Sequence, residues 1–92
     1  MKKKEIVKGL KEILVDKLDV NLKMESIKTD VPLYEGGIGL DSISIVNLIG
    51  LTEERFNFRF EDDEISTEIF GSLDALSSFI EKKHAAAQVF NL

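Results

Sequence analysis

The chain has 92 residues, no cysteine, 43% hydrophobic residues, and a net charge of −5 from twelve basic and seventeen acidic side chains. That length supports one domain around one core and leaves no room for a deep substrate cleft with its own catalytic apparatus. Without cysteine there are neither disulfides nor thiolate metal sites, and an acidic surplus disfavours nucleic acid, whose phosphates are bound by surplus lysine and arginine. The charge is uneven: residues 1–28 carry eight lysines against five acids (+3), and residues 29–92 carry four basic residues against twelve acids (−8). The acidic part invites partners with basic docking patches, whereas Lys2-Lys3-Lys4 reads as a solvated terminus. No basic start leads into an apolar h-region and no apolar run is long enough to span a bilayer, so a soluble cytoplasmic protein without membrane insertion is expected.

Ile6, Val7, Leu10, Ile13, Leu14 and Leu18 recur at three- and four-residue spacing and predict an amphipathic helix over about Lys3 to Leu18. Asp19 to Leu40 follows as a long connection holding the only proline, Pro32, and Gly36, Gly37 and Gly39. Loops of this length are functional or pinned by their own apolar residues, and Ile27, Val31, Leu33, Tyr34 and Ile38 are the candidates. A second helix is expected from Ser42 to Phe56, with Asp41 as its N-cap. Ile43, Ile45, Val46, Leu48, Ile49, Leu51 and Phe56 surround most of it, the pattern of a helix that is central or shows apolar residues to partners. Gly50 in its interior implies close packing against another helix. Phe56, Phe58 and Phe60 alternate as an extended link with the rings turned inward, followed by the acidic run Glu61–Glu64 and a short helix around Ser66–Phe70. Ser72 caps a last helix to about His84, with Leu73, Leu76, Phe79 and Ile80 facing the core; residues 85–92 extend it or fray. The fold class is all-α: a small four-helix bundle of three longer helices and one short one, with a long loop between helices 1 and 2.

Gly39-Leu40-Asp41-Ser42-Ile43 opens the apolar second helix, and a helix N-terminus has orphan N–H groups and a positive dipole end that favour a phosphoryl anion. Ser42 is therefore a cap, a nucleophile or a phosphate-bearing residue. Catalysis by the chain itself finds little support. The glycines before Ser42 lack the Lys-Ser/Thr of a P-loop and the context of a dinucleotide site. The only histidine, His84, stands near the end of the last helix, and Gly39 is one residue too early for a nucleophile elbow. Glu61–Glu64 lacks the alternating ligands and central glycine of a calcium loop, and one histidine without cysteine gives no zinc site.

Over about residues 3–83 the chain resembles the acyl carrier protein family, including peptidyl carrier domains. Gly39-Leu40-Asp41-Ser42-Ile43 is similar to the family signature Gly-x-Asp-Ser-Leu/Ile. Glu53-Glu54-Arg55-Phe56 with Phe58, Phe60 and the acidic run resembles the family's link into its short third helix, and Ser72-Leu73-Asp74-Ala75-Leu76 the start of its last one. The resemblance implies a single carrier domain over residues 1–92, with its core at about 3–84. It implies that Ser42 is esterified with 4′-phosphopantetheine from coenzyme A by a phosphopantetheinyl transferase, with Asp41 capping the helix and presenting Ser42. Acyl or aminoacyl groups would then be carried as thioesters by a monomer that is not itself an enzyme. Its partners would be an acyl- or aminoacyl-loading ligase or transferase and the synthases or transferases of the pathway. Ile43 and Val46 are candidates for partner contact or for lining a cargo pocket, against a reading as ordinary core.

Carriers of primary fatty-acid synthesis resemble one another in a strongly acidic exposed face on the second helix. Here that face has Ser44 and Asn47, with acids only at Glu53 and Glu54, so Asn47, Glu53 and Glu54 join the candidate partner contacts. This departure favours a dedicated carrier for a lipid, polyketide or nonribosomal pathway. The alternative is a carrier-like helical adaptor that acts without modification.

Overall fold

The computed structural model describes the backbone of residues 2–90 and the side chains of residues 2–85. Among them are three long helices and no strand: α1 (Lys3–Glu12), α2 (Ser42–Phe56) and α3 (Leu73–Phe90). The spacing of Ile6, Leu10, Ile13 and Leu14 buries one face of α1. Its opposite face carries Lys4 and Lys8 into solvent, with Lys11 half-exposed beside them. The helix continues to Lys17, as predicted, but its last residues, Ile13–Lys17, wind as a π-turn. Leu18 donates its N–H to the Ile13 carbonyl at 3.0 Å, and Asp19 ends the turn in the left-handed region at φ 54°, a conformation that aspartate tolerates better than most residues.

The core draws on every long segment. Leu48, Thr52 and Phe56 of α2 meet Leu73, Leu76 and Ile80 of α3 and the buried face of α1, while Ile27, Leu33 and Leu40 enter from the connection. Of the residues expected to pin that connection, Ile27 and Leu33 are buried and Val31 and Ile38 are half-buried. Tyr34 is not a pin: it is 41% exposed. Between α1 and α2 the connection holds one 3-10 turn, Met24–Ser26, and the Thr29 carbonyl accepts from the Asp74 N–H at 2.9 Å, which ties it to the start of α3.

The close helix packing expected at Gly50 belongs to another glycine. A Cβ on Gly50 would meet no atom within 4 Å, so close helix packing does not explain it, and it costs α2 about 1 kcal/mol relative to alanine. The glycine at a tight helix contact is Gly9 of α1, where a Cβ would lie 2.8 Å from the Phe56 ring. Arg55 and Glu12 close the same contact with an ion pair at 2.7 Å.

Asn57 ends α2 in the left-handed region at φ 57°, and its N–H and that of Phe58 both return to the Glu53 carbonyl. Phe56 and Phe60 are buried and Phe58 is half-buried, as the alternation predicts. The expected short helix around Ser66–Phe70 does not form. Two 3-10 turns, Asp62–Glu64 and Ile69–Gly71, stand in that region instead. Phe60 stacks on Phe79 at 5.5 Å between ring centroids and packs on Phe70 at 5.2 Å, so aromatic contact holds the link where a helical face would have. In the acidic run, Glu61 and Glu64 cap each other's backbone, and Glu64 pairs with Lys83 at 2.9 Å. Burial alone would raise the Glu64 pKa, but the Glu61 N–H and the Lys83 ammonium outweigh it and hold the carboxyl below its ordinary value.

The Ser72 hydroxyl accepts from the Ala75 N–H at 3.0 Å and so caps α3 as expected. The helix then runs beyond His84 to Phe90, so residues 85–90 extend it; Asn91 and Leu92 of the expected tail lie outside the described residues. No helix among the described residues is long and apolar enough to cross a membrane.

Thr52 is fully buried and its hydroxyl has no hydrogen-bond partner. A buried polar group left unpaired costs free energy that an apolar group of similar shape does not. Thr52→Val is expected to stabilise the protein by about 1 kcal/mol. In urea denaturation this appears as a higher midpoint at unchanged slope.

Candidate functional site

Pro32 to Leu40 forms a closed loop that delivers Asp41 and Ser42 to the head of α2. Ile38 donates to the Pro32 carbonyl at 2.8 Å and Leu40 to that of Leu33 at 2.9 Å; the N–H groups of Gly37 and Gly39 share the Tyr34 carbonyl at 3.1 and 3.0 Å. Gly36 and Gly39 take positive φ, at 94° and 89°, which a side chain would strain. Leu33 and Leu40 are buried on either side, so the loop is fixed to the core a residue or two from the site.

Asp41 is the N-cap. Its Oδ1 accepts the Ser44 N–H at 2.7 Å and its carbonyl accepts that of Ile45 at 3.0 Å. The Ser44 backbone first, and the Ser44 hydroxyl second, favour the ionised carboxylate and lower its pKa from 3.8. Because the folded value is depressed, this stabilisation is complete above the unfolded value and is lost as pH falls through the folded one. The chain is therefore expected to melt at higher temperature than Asp41→Ala at neutral pH, and the gap should narrow below about pH 3.8 in calorimetric scans.

Ser42 is the first residue of α2 and is exposed. No hydrogen bond among the described residues engages its hydroxyl. The N–H groups of Ser42 and Ile43 have no acceptor within the helix, because the first turn lacks a preceding carbonyl, and they lie where the dipole is positive. Ile43 and Val46 are 72% and 65% exposed, so ordinary core is not their role. Asn47 and Glu54 are exposed as well. Glu53 is half-buried and its Oε2 accepts the Phe60 N–H at 2.8 Å, which secures the link after α2.

One feature beside Ser42 escaped the sequence reading. Tyr34, Ile45, Ile65, Ser66, Thr67 and Phe70 line a mostly apolar cleft of about 210 Å³, and Ile45 sits one turn from Ser42. The three-residue spacing from Ser42 to Ile45 was a visible signal; the approach of Ile65 and Tyr34 to Ile45 was not, because it depends on two irregular segments.

His84 lies against Phe56 and Phe58 at the opposite end of α2, about 20 Å of helix away from Ser42. A serine–histidine couple is impossible in this arrangement. Among the described residues no group of histidine, aspartate and glutamate side chains is placed to hold a metal ion.

The exposed serine at the capped head of this apolar helix has neither a histidine nor a metal-holding group beside it among the described residues. Residues 8–80 match the family described as the phosphopantetheine attachment site. The chain is 33% identical over 81 residues to the acyl carrier protein of Buchnera aphidicola subsp. Acyrthosiphon pisum, covering 88% of this chain and 95% of that one. It is 36% identical over 59 residues to the acyl carrier protein of Wolinella succinogenes, covering 64% and 74%. In structure it is similar to the holo acyl carrier protein of Nitrosomonas europaea, with a TM-score of 0.74 and 33% identity over 86% of this chain and 95% of that one. It is also similar to a chain in the crystal structure of Bradyrhizobium japonicum glycine:[carrier protein] ligase complexed with glycylated carrier protein (TM-score 0.61, 29% identity, 83% and 95% covered). The chain belongs to the acyl carrier protein family, the proteins with a phosphopantetheine attachment site. It is a carrier and not an enzyme, and its prosthetic group is covalently bound phosphopantetheine. The residues at the head of α2 fit such a group: an exposed hydroxyl on the first residue of the helix stands at its positive dipole end, which suits an attached phosphate.

Proposed function

We propose that Ser42 bears the 4′-phosphopantetheine and that the chain, as one carrier domain with its core at about residues 3–84, ferries acyl or aminoacyl groups for a dedicated lipid, polyketide or nonribosomal pathway. The observation that carries this reading is the exposed, unengaged Ser42 hydroxyl on the first turn of α2, set there by the Asp41 cap. In attachment, the bond from Ser42 Oγ to phosphorus replaces the pyrophosphate bond of coenzyme A and the nucleotide half leaves. The hydroxyl proton passes to a base of the phosphopantetheinyl transferase, so the chain needs no base of its own. The bound group supplies a terminal thiol on which cargo is held as a thioester. The chain's own residues would then fix the anchor: Asp41 holds the first turn, and the positive end of α2 would favour the phosphate.

The uncharged face around Ser44 and Asn47 supports a dedicated pathway over general fatty-acid synthesis. Similarity to a carrier seen glycylated beside its ligase supports a small aminoacyl cargo and a loading ligase as partner, and the modest volume of the cleft beside Ile45 is in keeping with that. The test is incubation of the chain with coenzyme A and a broad-range transferase, followed by peptide mass spectrometry. One phosphopantetheine on residue 42 is the expected result. A chain that stays unmodified while a control carrier is modified would sink this reading and leave the unmodified adaptor.

A further inference from the structure

The solvent face of α1 carries a basic groove. Lys4, Lys8 and Lys11 stand at four- and three-residue spacing, which sets them along one edge of the helix. With Val7, Met24 and Glu25 they line a concavity of about 380 Å³ whose exposed surface is mostly apolar. Val7 and Met24 are half-buried in it, and Glu25 enters its wall from the Met24–Ser26 turn. Other cations are engaged within the fold: Lys3 pairs with Asp74, Arg55 with Glu12 and Lys83 with Glu64. Lys4, Lys8 and Lys11 form no ion pair among the described residues. Like charges one turn apart repel, so carboxylates brought from outside would relieve this edge while an apolar side chain fills the recess beside it.

We infer that this groove docks an acidic helix of a partner protein, with its carboxylates along Lys4, Lys8 and Lys11 and an apolar residue between Val7 and Met24. Glu25 sets the orientation, because the acidic edge of the partner has to run along α1 and away from that wall. The shape favours a helix over an anionic bilayer. A flat surface does not reach a recessed floor, and it meets both Glu25 and a chain whose net charge is −5. The position of the groove shows what such a contact can do. Leu18, just past α1, shares a hollow with Asp41 and Ser44, so the C-terminal end of α1 is the one that approaches Ser42. Gly9, level with the groove, meets Phe56 at the far end of α2, about 20 Å of helix from Ser42. A partner seated on Lys4 to Lys11 therefore leaves Ser42 open. One protein can hold the carrier from behind while another meets its attachment end.

The probe is a synthetic helix with glutamates at the spacing of Lys4, Lys8 and Lys11 and leucines between them, titrated into the full chain. Calorimetry gives Kd, and amide shifts in NMR spectra locate the contact. The native chain is expected to bind, with the largest shifts at Val7, Lys8, Lys11 and Met24. Lys8→Glu and Met24→Asp are each expected to raise Kd about tenfold or more. Lys82→Glu makes the same charge change on an exposed residue of α3 and should leave Kd within about twofold, which separates the groove from net charge. Folding of each variant is read from helical circular dichroism. Phosphopantetheine transfer to Lys8→Glu should run within about twofold of the native rate, as a contact remote from Ser42 requires. A native chain that does not bind the helix, or equal Kd values for Lys8→Glu and Lys82→Glu, would overturn the inference. So would sedimentation of the chain with vesicles of one part phosphatidylglycerol to two of phosphatidylcholine, if Lys8→Glu abolished it while the helix did not bind; the face would then belong to a membrane.

Discussion

Ser42→Ala is expected to keep its apo mass after incubation with coenzyme A and transferase, while the native chain gains one phosphopantetheine. The effect is all or none because the reaction needs a hydroxyl at one place and no other serine offers an equivalent. Ser66 and Ser72 use their hydroxyls as acceptors from the backbone, and Ser77 is buried with its hydroxyl donating to the Asp74 carbonyl. Ser44 lies on the first turn but its hydroxyl donates to Asp41, and Ser26 and Ser78 stand away from the head of α2, on the Met24–Ser26 turn and within α3. The substitution leaves the fold alone, since Ser42 is exposed and alanine is a good helix former. Melting temperatures of the two chains should therefore agree, which separates lost chemistry from lost structure. Modification of Ser42→Ala at the native rate would mean that the group is attached elsewhere.

Gly37→Ala is expected to produce the other large effect, on both stability and modification. A Cβ at position 37 would overlap the Pro32 carbonyl oxygen outright and lie 2.7 Å from the Pro32 nitrogen and 2.8 Å from its carbonyl carbon. These are backbone atoms, so no side chain can rotate away. The same carbonyl accepts the Ile38 N–H, and opening that bond loosens the loop that sets Asp41 in place. Overpacking of this kind costs roughly 1–3 kcal/mol. A displacement of about 1 Å at a reacting group can slow a reaction by about a hundredfold. Urea denaturation and transferase kinetics on the same preparation measure the two effects. Gly36→Ala is the control: it meets open space and pays only for its positive φ, so it should disturb modification less.

The long periodic elements were legible because a helix announces itself locally. The spacing of Ile6, Leu10, Ile13 and Leu14, and the Asp41 cap before Ser42, fix α1 and α2 from side chains a few residues apart. What could not be read depends on distant partners. The π-turn at Ile13–Lys17 arises where α1 meets the connection, and no periodicity marks it. Residues 61–71 form 3-10 turns because Phe60 finds Phe70 and Phe79, and because Lys83 reaches back to Glu64. Gly50 invited a packing explanation that belongs to Gly9, since a helical glycine looks the same in sequence whichever way it faces. For the candidate site, the signature around Ser42 was visible, but the cleft beside Ile45 was not. Its walls come from two irregular segments brought together only by the fold.

The outward lysines of α1 have a bearing on how the carrier arrives. Positive charge collects on the solvent face of one helix, while the acids gather from residue 29 onward, in the part that contains Ser42. A body charged this way feels torque as well as attraction near a basic surface. It is turned before it touches, with its excess of acid toward that surface, over a reach of about 10 Å at 0.1 M salt. Added salt would take away that alignment first and the contact itself only later.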